Sequence, residues 1–130
     1  MGQKKILLVD DSSTARLEMG RALTESGFDI IEAKDGDMGL EKLNREQGIE
    51  LILTDHYMEK MNGLDMVRKI RENVKFKNIP IIMLTSEGSK DMREESKQLG
   101  IHAWAQKPCS TKALVNIIQK VLNGNGSEHT

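Results

Sequence analysis

The stretch Ile6-Leu-Leu-Val-Asp-Asp11, close to the amino terminus, decides the fold. A run of consecutive aliphatic residues is typical of a strand that is covered on both faces, as strands are in a parallel sheet. Two carboxylates follow this run at once, and Ser13 then stands where the N-cap of a helix would satisfy free backbone N–H groups. A buried strand, an acidic turn and a helix start in this order predict the first unit of an α/β domain.

The same pattern of strand and helix repeats along the chain. Four further runs, mostly of apolar residues, predict strands at residues 28–31, 51–53, 81–84 and 101–104. Segments with helical spacing separate them, and the last segment carries one apolar stripe, formed by Leu114, Ile117, Ile118 and Val121. βα units in succession predict a parallel sheet with helices on both faces.

The limits of the domain follow from the last helix. Ser110 is suited to cap this helix, and the segment 123–130 that follows it is small and polar. We therefore predict a single domain over residues 1–122 and a disordered tail over residues 123–130. A chain of 130 residues has little room for a second domain.

Composition and charge exclude several classes of function. The 19 Lys and Arg residues nearly balance the 20 Asp and Glu residues, so the basic excess of a nucleic-acid-binding protein is missing. The first apolar run is too short for a signal peptide or a membrane span. A single cysteine, Cys109, is consistent with a reducing compartment. We expect a cytoplasmic monomer that binds neither nucleic acid nor membranes.

Chemically active side chains follow four of the predicted strands. Asp10 and Asp11 follow the first strand and Asp55 the third, while Thr85 and Lys107 follow the fourth and fifth. Open α/β sheets bind ligands at the carboxyl ends of their strands. These side chains are therefore expected to meet at one edge of the sheet.

The chemistry of this set favours phosphoryl transfer. Three clustered carboxylates repel one another, and a divalent cation between them would keep them ionised together. Mg²⁺ suits such oxygen ligands and leaves room for phosphate oxygens. Asp55 is then the candidate nucleophile that forms an acyl phosphate. Lys107 would place a positive charge on the phosphoryl oxygens, and Thr85 could donate its hydroxyl to one of them.

The motifs VDDSS, LTDHYMEKMNG, MLTSE and AQKP, in this order, resemble the receiver domain of two-component response regulators. In length the chain is most similar to the chemotaxis type, which stands alone, and the resemblance covers roughly residues 4–122. It implies a flavodoxin-like, doubly wound sheet of five parallel strands in the order 2-1-3-4-5, with five helices. It also implies that a histidine kinase phosphorylates Asp55, and that the product binds a target protein in chemotaxis or flagellar motor control.

The resemblance assigns a role to each residue of the site. Asp10, Asp11 and Asp55 would bind Mg²⁺ together with the backbone carbonyl of Tyr57. Asp55 would also accept the phosphoryl group. Lys107, which would precede a cis peptide bond, would pair with Asp55 and then with its phosphate.

The resemblance also implies a switch. Thr85 would move toward the phosphoryl group, and Trp104 would turn inward into the vacated space. This movement would alter the face formed by helix 4, strand 5 and helix 5. Tyr57 and Glu87 flank the site and would set the rate of autodephosphorylation. The protein would promote its own phosphorylation and dephosphorylation without being an enzyme for another substrate.

Some positions depart from the pattern of the family. Glu59 stands where most receivers have proline, Cys109 replaces the usual phenylalanine, and Trp104 replaces the more usual tyrosine or phenylalanine. His56 directly follows the acceptor, and we expect a solvent-facing loop histidine without an acid–base role. Residues 88–99 contain two clear apolar residues, so helix 4 is expected to bury little.

Other functions remain open. A phosphorelay shuttle or a regulator of another pathway would use the same site. An Mg²⁺-dependent aspartyl phosphohydrolase is disfavoured, because those enzymes resemble a pattern with a second Asp two residues after the first-strand nucleophile, where this chain has Ser12. A phosphate-independent interaction domain is disfavoured by the complete set of site residues. No glycine-rich turn follows the first strand, which excludes a dinucleotide site.

Overall fold

Parallel strands form one sheet through the middle of the molecule. The computed structural model describes residues 3–86, 90–124 and 128–129. The strands are Lys5–Val9 (β1), Asp29–Ala33 (β2), Ile49–Asp55 (β3), Ile81–Thr85 (β4), Ala103–Gln106 (β5) and Glu128–His129 (β6). Their order is β2-β1-β3-β4-β5-β6, and every neighbouring pair is parallel. The order of β1 to β5 confirms the predicted doubly wound sheet.

Helices follow the first five strands and cover both faces of the sheet. They are Ser13–Glu25 (α1), Gly36–Arg45 (α2), Gly63–Glu72 (α3), Lys90–Gln98 (α4) and Thr111–Leu122 (α5). A short 3-10 turn, Val74–Phe76, lies between α3 and β4. The five predicted helices are therefore confirmed within the described residues.

Two aliphatic layers hold the helices to the sheet. Successive strand residues point to opposite faces, so Leu7 packs in the layer beneath α2, α3 and α4, while Leu8 packs in the layer beneath α1 and α5. The central strands β1, β3 and β4 are buried almost throughout. Their continuous apolar sequences follow from this burial on both faces.

β2 and β5 begin later than the predicted strands. Phe28 and Ile101 are buried and apolar, but both lie in turns that end the preceding helices. The N–H of Phe28 donates to the Leu23 carbonyl at 3.1 Å, and the N–H of Ile101 donates to the Ser96 carbonyl at 3.0 Å. Apolar character predicts that a residue is buried, but a turn buries such residues as well as a strand does.

The serine that caps α1 is Ser12, and the prediction of Ser13 is wrong. The Ser12 hydroxyl accepts from the Ala15 N–H at 3.2 Å, and Ser13 is already the first helical residue. The Ser12 N–H donates to Asp10 Oδ1 at 2.9 Å, and this bond fixes Ser12 outside the helix. Ser110 caps α5 as predicted, with its hydroxyl 3.1 Å from the Ala113 nitrogen.

The segment 123–130, predicted as a disordered tail, contains the strand β6. This strand pairs with β5, with Glu128 opposite Ala103 and His129 opposite Trp104. It extends the sheet from the predicted five strands to six among the described residues. An edge strand offers backbone N–H and C=O groups that pair with any chain, whatever its side chains, and a polar composition does not exclude this pairing. The domain limit at residue 122 stays a prediction.

Candidate functional site

Three carboxylates lie together at the carboxyl edge of the sheet. Asp10 follows β1, Asp11 begins the turn toward α1, and Asp55 ends β3. One oxygen of each carboxylate lies within 4.8 Å of one from each of the others. Asp10 and Asp55 are 1% and 9% exposed, while Asp11 is exposed. The structure brings the three predicted carboxylate ligands into one cluster.

Lys107 bridges two of these carboxylates. Its Nζ lies 3.2 Å from Asp10 Oδ2 and 3.2 Å from Asp55 Oδ2. The N–H of Lys107 donates to the Thr85 carbonyl at 2.8 Å, which continues the pairing of β4 with β5 beyond the strand end. The peptide bond from Lys107 to Pro108 is cis. The main-chain bond to Thr85 places Lys107 at the same sheet edge as Asp10 and Asp55.

Excess negative charge at this edge favours bound protons and cations. Burial, above all, raises the pKa of Asp55 above 3.8; the charge of Lys107 opposes this shift and that of Asp10 adds to it. Burial by itself would lower the pKa of Lys107, but the Asp55 and Asp10 carboxylates raise it above 10.5. The carboxylates account for the raised pKa of Lys107, whereas burial accounts for the raised pKa of Asp55.

The donor set of the cluster fits Mg²⁺. Carboxylate oxygens are the ligands that this ion prefers, and the oxygens of Asp10, Asp11 and Asp55 are close enough to share one ion. One ammonium group cannot neutralise three carboxylates, so the site has charge left for a cation. Tyr57 lies two residues beyond Asp55 and is 46% exposed. Its backbone carbonyl stays a predicted fourth ligand.

Glu59 acts on the site through its backbone. The Glu59 N–H donates to Asp11 Oδ2 at 3.3 Å. Proline, the usual residue at this position of receivers, has no N–H and could not make this bond. The next residue, Lys60, has a φ of 69°. The departure from the family pattern therefore adds a donor that holds the exposed carboxylate.

Thr85 and Trp104 lie on the face of the sheet that α4 covers. Thr85 ends β4 and is fully buried, and Trp104 is 1% exposed. Trp104 lies opposite Met83 in the sheet, two residues before the partner of Thr85. The guanidinium carbon of Arg93 lies 5.4 Å from the centre of the Trp104 ring. The indole lies inward in this structure, and its movement during switching stays a prediction.

His56 is buried, and the expectation of a solvent-facing histidine is wrong. It is 6% exposed, because its N–H donates to the Leu84 carbonyl at 3.1 Å and its carbonyl accepts from the Gly63 N–H at 2.8 Å. The bond to Leu84 continues the pairing of β3 with β4 beyond Asp55, and the bond from Gly63 joins His56 to the start of α3. Burial lowers the pKa of His56, although the Asp55 charge opposes the shift. Nδ1 of His56 has no hydrogen-bond partner among the described residues.

Arg16 is a residue of the site that sequence reasoning missed. Its Nη1 donates to the backbone carbonyl of Asp10 at 2.7 Å, and its Nε lies 3.2 Å from Glu32 Oε1. The guanidinium therefore ties α1 and β2 to the residue that carries the first carboxylate. The available signal was an arginine one turn after the acidic pair, which the helical pattern places toward the sheet.

Two predicted positions complete the survey. Glu87 lies outside the described residues, so its effect on autodephosphorylation stays a prediction. Cys109 is half-buried in the groove between α1 and α5, beside Met19 and Leu114. Burial raises the pKa of its thiol. Its packing replaces that of the usual phenylalanine and leaves the carboxylate cluster intact.

The comparison with protein families identifies the chain. The model of the response regulator receiver domain matches residues 6–119. The chain belongs to this family. The receiver is similar to chemotaxis protein CheY1 of Helicobacter pylori, with 38% identity over 122 residues that cover 93% of this chain and 98% of the relative. It is also similar to the chemotaxis protein CheY homolog of Campylobacter jejuni, with 36% identity over 124 residues and 95% coverage of both chains.

Solved structures agree with this result. Chemotaxis protein CheY4 of Vibrio cholerae matches the receiver with a TM-score of 0.88 and 32% identity, over 92% of this chain and 99% of that one. The receiver is therefore a chemotaxis-type response regulator, a class of signalling proteins that works with a histidine kinase and a target protein. Among the described residues, no helix is long and apolar enough to cross a bilayer.

Proposed function

We propose that the receiver takes a phosphoryl group from a histidine kinase onto Asp55 in an Mg²⁺-dependent reaction. One observation carries the proposal: Asp55 shares the Lys107 ammonium with Asp10, at 3.2 Å on each side, inside a cluster of three carboxylates. An ion pair with a second carboxylate held nearby positions both a nucleophile and a group that binds phosphoryl oxygens. A purely structural ion pair would not need the third carboxylate.

The reaction would proceed by direct transfer. A carboxylate oxygen of Asp55 attacks the phosphorus of the phosphohistidine, and the phosphorus–nitrogen bond breaks with its electron pair left on the imidazole. Lys107 stays protonated, because its pKa is raised, and pairs with a phosphoryl oxygen. Asp10, Asp11, Asp55 and the Tyr57 carbonyl would hold the metal. When bound, Mg²⁺ supplies positive charge that offsets the charge of the phosphoryl oxygens.

The phosphoryl group would be read through Thr85 and Trp104. Thr85 ends the strand beside Asp55, so its hydroxyl is the nearest candidate donor from β4 to a phosphoryl oxygen. Trp104 lies on the same face two residues further back in β5, against Arg93 of α4. A change at Thr85 would thus reach α4 through the indole. We propose that the face formed by α4, β5 and α5 then binds a protein target of the flagellar motor.

Water access would set the lifetime of the phosphorylated state. Tyr57 is 46% exposed beside the cluster, where its ring can screen the phosphoryl group from water. Glu87 is the second proposed position. Both residues would change the autodephosphorylation rate without changing the acceptance of phosphate.

The experiment measures phosphorylation and switching together. The protein is incubated with Mg²⁺ and acetyl phosphate, and intact mass is followed beside the emission of Trp104, its one tryptophan. One added phosphoryl group and a changed emission spectrum are expected. Asp55→Asn should gain no mass, while the exposed control Asp37→Asn should react as the parent does.

Other outcomes would contradict the proposal in distinct ways. No added mass under any Mg²⁺ condition, with no response of Trp104 to beryllofluoride, would indicate a phosphate-independent module. Added mass in Asp55→Asn would place the acceptor elsewhere. Added mass with unchanged emission would leave the acceptor in place but remove the Thr85–Trp104 route.

A further inference from the structure

A second charged site lies at the opposite edge of the sheet from the carboxylate cluster. It is a cavity of about 640 Å³ beside α3, the end of α4 and the start of β5. The His102 N–H donates to the Ile81 carbonyl at 2.8 Å, so the cavity lies at the amino ends of β4 and β5. A strand of this length separates the two sites by about 17 Å. We call it the basic cavity, after its lining residues Arg71, Lys77 and Lys97.

Arg71 enters the basic cavity and pairs with no carboxylate of the described chain. Its Nε donates to the Leu99 carbonyl at 2.9 Å and its Nη2 to the Gly100 carbonyl at 3.0 Å. Its Nη1 donates to the Phe76 and Ile79 carbonyls at 3.0 and 2.9 Å. A guanidinium group has five N–H donors, and these bonds use four. The remaining N–H belongs to Nη2, and no described residue accepts from it.

The other cations of the basic cavity also have no counter-charge. Lys77 and Lys97 are exposed, and neither forms an ion pair with a described residue. In the part of the chain that the structure describes, no carboxylate lines the cavity. By contrast, Arg16, Arg45 and Arg68 all pair with carboxylates within the described chain. Charged groups that converge on a cavity without a counter-ion favour binding of an anion.

We propose that the basic cavity binds a small organic molecule that carries a phosphate monoester. Such a group has a charge close to −2 at neutral pH, which two lysines and one arginine N–H can offset. A singly charged carboxylate would use only part of this charge. The cavity is larger than a phosphate needs, and Asn78 and Ile101 also line it. Without a bound cation, the carboxylate cluster would repel the same ligand.

Binding would act on the end of α4. Two of the carbonyls that Arg71 holds, those of Leu99 and Gly100, directly follow this helix, and Lys97 lies in its last turn. A phosphate bound to Arg71 and Lys97 would therefore join α3 to the end of α4. Slower hydrogen exchange of the amides from Ser96 to His102 is the expected signature.

The experiment titrates ¹⁵N-labelled protein with phenyl phosphate, in EDTA to keep the carboxylate cluster free of metal. Benzoate serves as the singly charged probe with the same ring. Phenyl phosphate should shift the amides of Lys77, Asn78, Gly100 and His102, and should bind about tenfold more tightly than benzoate. The double variant Lys77→Gln/Lys97→Gln should weaken phenyl phosphate about tenfold.

A matched variant separates the basic cavity from general surface charge. Lys75→Gln/Lys90→Gln removes one cation near Lys77, before β4, and one from α4, the helix of Lys97. Neither Lys75 nor Lys90 lines the cavity. This variant should bind phenyl phosphate as the parent does. The ¹⁵N spectra of both double variants should keep the signal dispersion of the parent, which shows that they are folded.

Several results would overturn the proposal. These are equal weakening in both double variants, equal affinity for benzoate, or the absence of shifts at about 20 mM phenyl phosphate. A phosphoserine peptide that binds more tightly than phenyl phosphate would overturn the assignment to a small molecule and indicate a phosphorylated protein instead. None of these results depends on the chemistry of Asp55.

Discussion

Helices α3 and α4 cover the same face of the sheet but are attached to it differently. α3 buries five of its residues, Gly63, Leu64, Met66, Val67 and Ile70. α4 buries two, Met92 and Ser96, and the Ser96 hydroxyl donates to the Met92 carbonyl of its own helix. α3 follows the loop that begins directly after Asp55, while α4 covers Trp104. α3 is therefore anchored to the sheet by its buried side chains. α4, the helix that would respond to phosphorylation, is held by few buried residues.

The largest expected effect comes from one methionine on each helix. Met66 of α3 is fully buried and Met92 of α4 is 9% exposed. Met66→Ala should lower the free energy of unfolding by about 3 kcal/mol, because it leaves a cavity that the surroundings cannot fill. Met92→Ala should cost about 1 kcal/mol, because α4 can move into the space. Urea unfolding measures both, and equal costs would show that α4 is as firmly packed as α3.

Arg71 joins the two helices and provides the next test. Its guanidinium, at the end of α3, bonds to the Leu99 and Gly100 carbonyls that follow α4. Arg71→Lys should lower the free energy of unfolding by about 2 kcal/mol, because a single ammonium cannot reach four carbonyls in different directions. The exposed Arg45→Lys is the control. A loss no larger than that of the control would show that the hydrogen bonds of the Arg71 guanidinium contribute nothing to stability.

A surface ion pair also links the helices. Arg68 of α3 contacts both Asp65 of its own helix and Glu95 of α4. Glu95→Gln should cost only about 0.5 kcal/mol in global stability, because both partners are partly exposed. The amides of α4 should nevertheless exchange faster in Glu95→Gln than in the control variant Glu94→Gln. Identical exchange in the two variants would remove this contact from the description of α4.

The smallest effect is a dependence on pH at the end of α4. Burial, followed by the charge of Arg71, lowers the pKa of His102 below 6.5. The unfolded chain then takes up a proton at higher pH than the folded one, so stability falls as pH falls through 6.5. His102→Gln should remove this part of the loss.

The comparison of His102→Gln with the parent isolates this group. His56 also has a lowered pKa, but it is present in both proteins and its contribution cancels. Between pH 7.5 and pH 5, the parent should lose less than about 0.5 kcal/mol of unfolding free energy relative to His102→Gln, because solvent screens the partly exposed ring. A parent that gains stability relative to His102→Gln on acidification would show that the sign is wrong.

The sequence predicted the residues at strand ends and missed those that act through the backbone. Asp10, Asp55 and Lys107 could be placed together because continuous apolar runs locate strands and parallel strands end at one edge. His56 was misplaced because its burial depends on hydrogen bonds to Leu84 and Gly63, which no local pattern records.

The arginines show the same limit. Arg16 and Arg71 bond to main-chain carbonyls of distant segments. Any residue supplies a carbonyl, so the partner of such an arginine leaves no trace in the sequence. The starts of β2 and β5 were predicted too early for a related reason, since turns and strands bury apolar side chains equally well.

Gly63, whose N–H holds the loop after Asp55, also limits how this receiver can change over generations. A β-carbon at this position would lie 2.6 Å from the Asp55 carbonyl oxygen and 2.9 Å from the sulfur of Met83. Every other amino acid at this position has at least that carbon, and one of the atoms that it would meet belongs to the main chain of Asp55. Any substitution of Gly63 is therefore expected to disturb the loop after Asp55. The role proposed for Tyr57 in the lifetime of the phosphorylated state meets no such restriction, because Tyr57 is exposed.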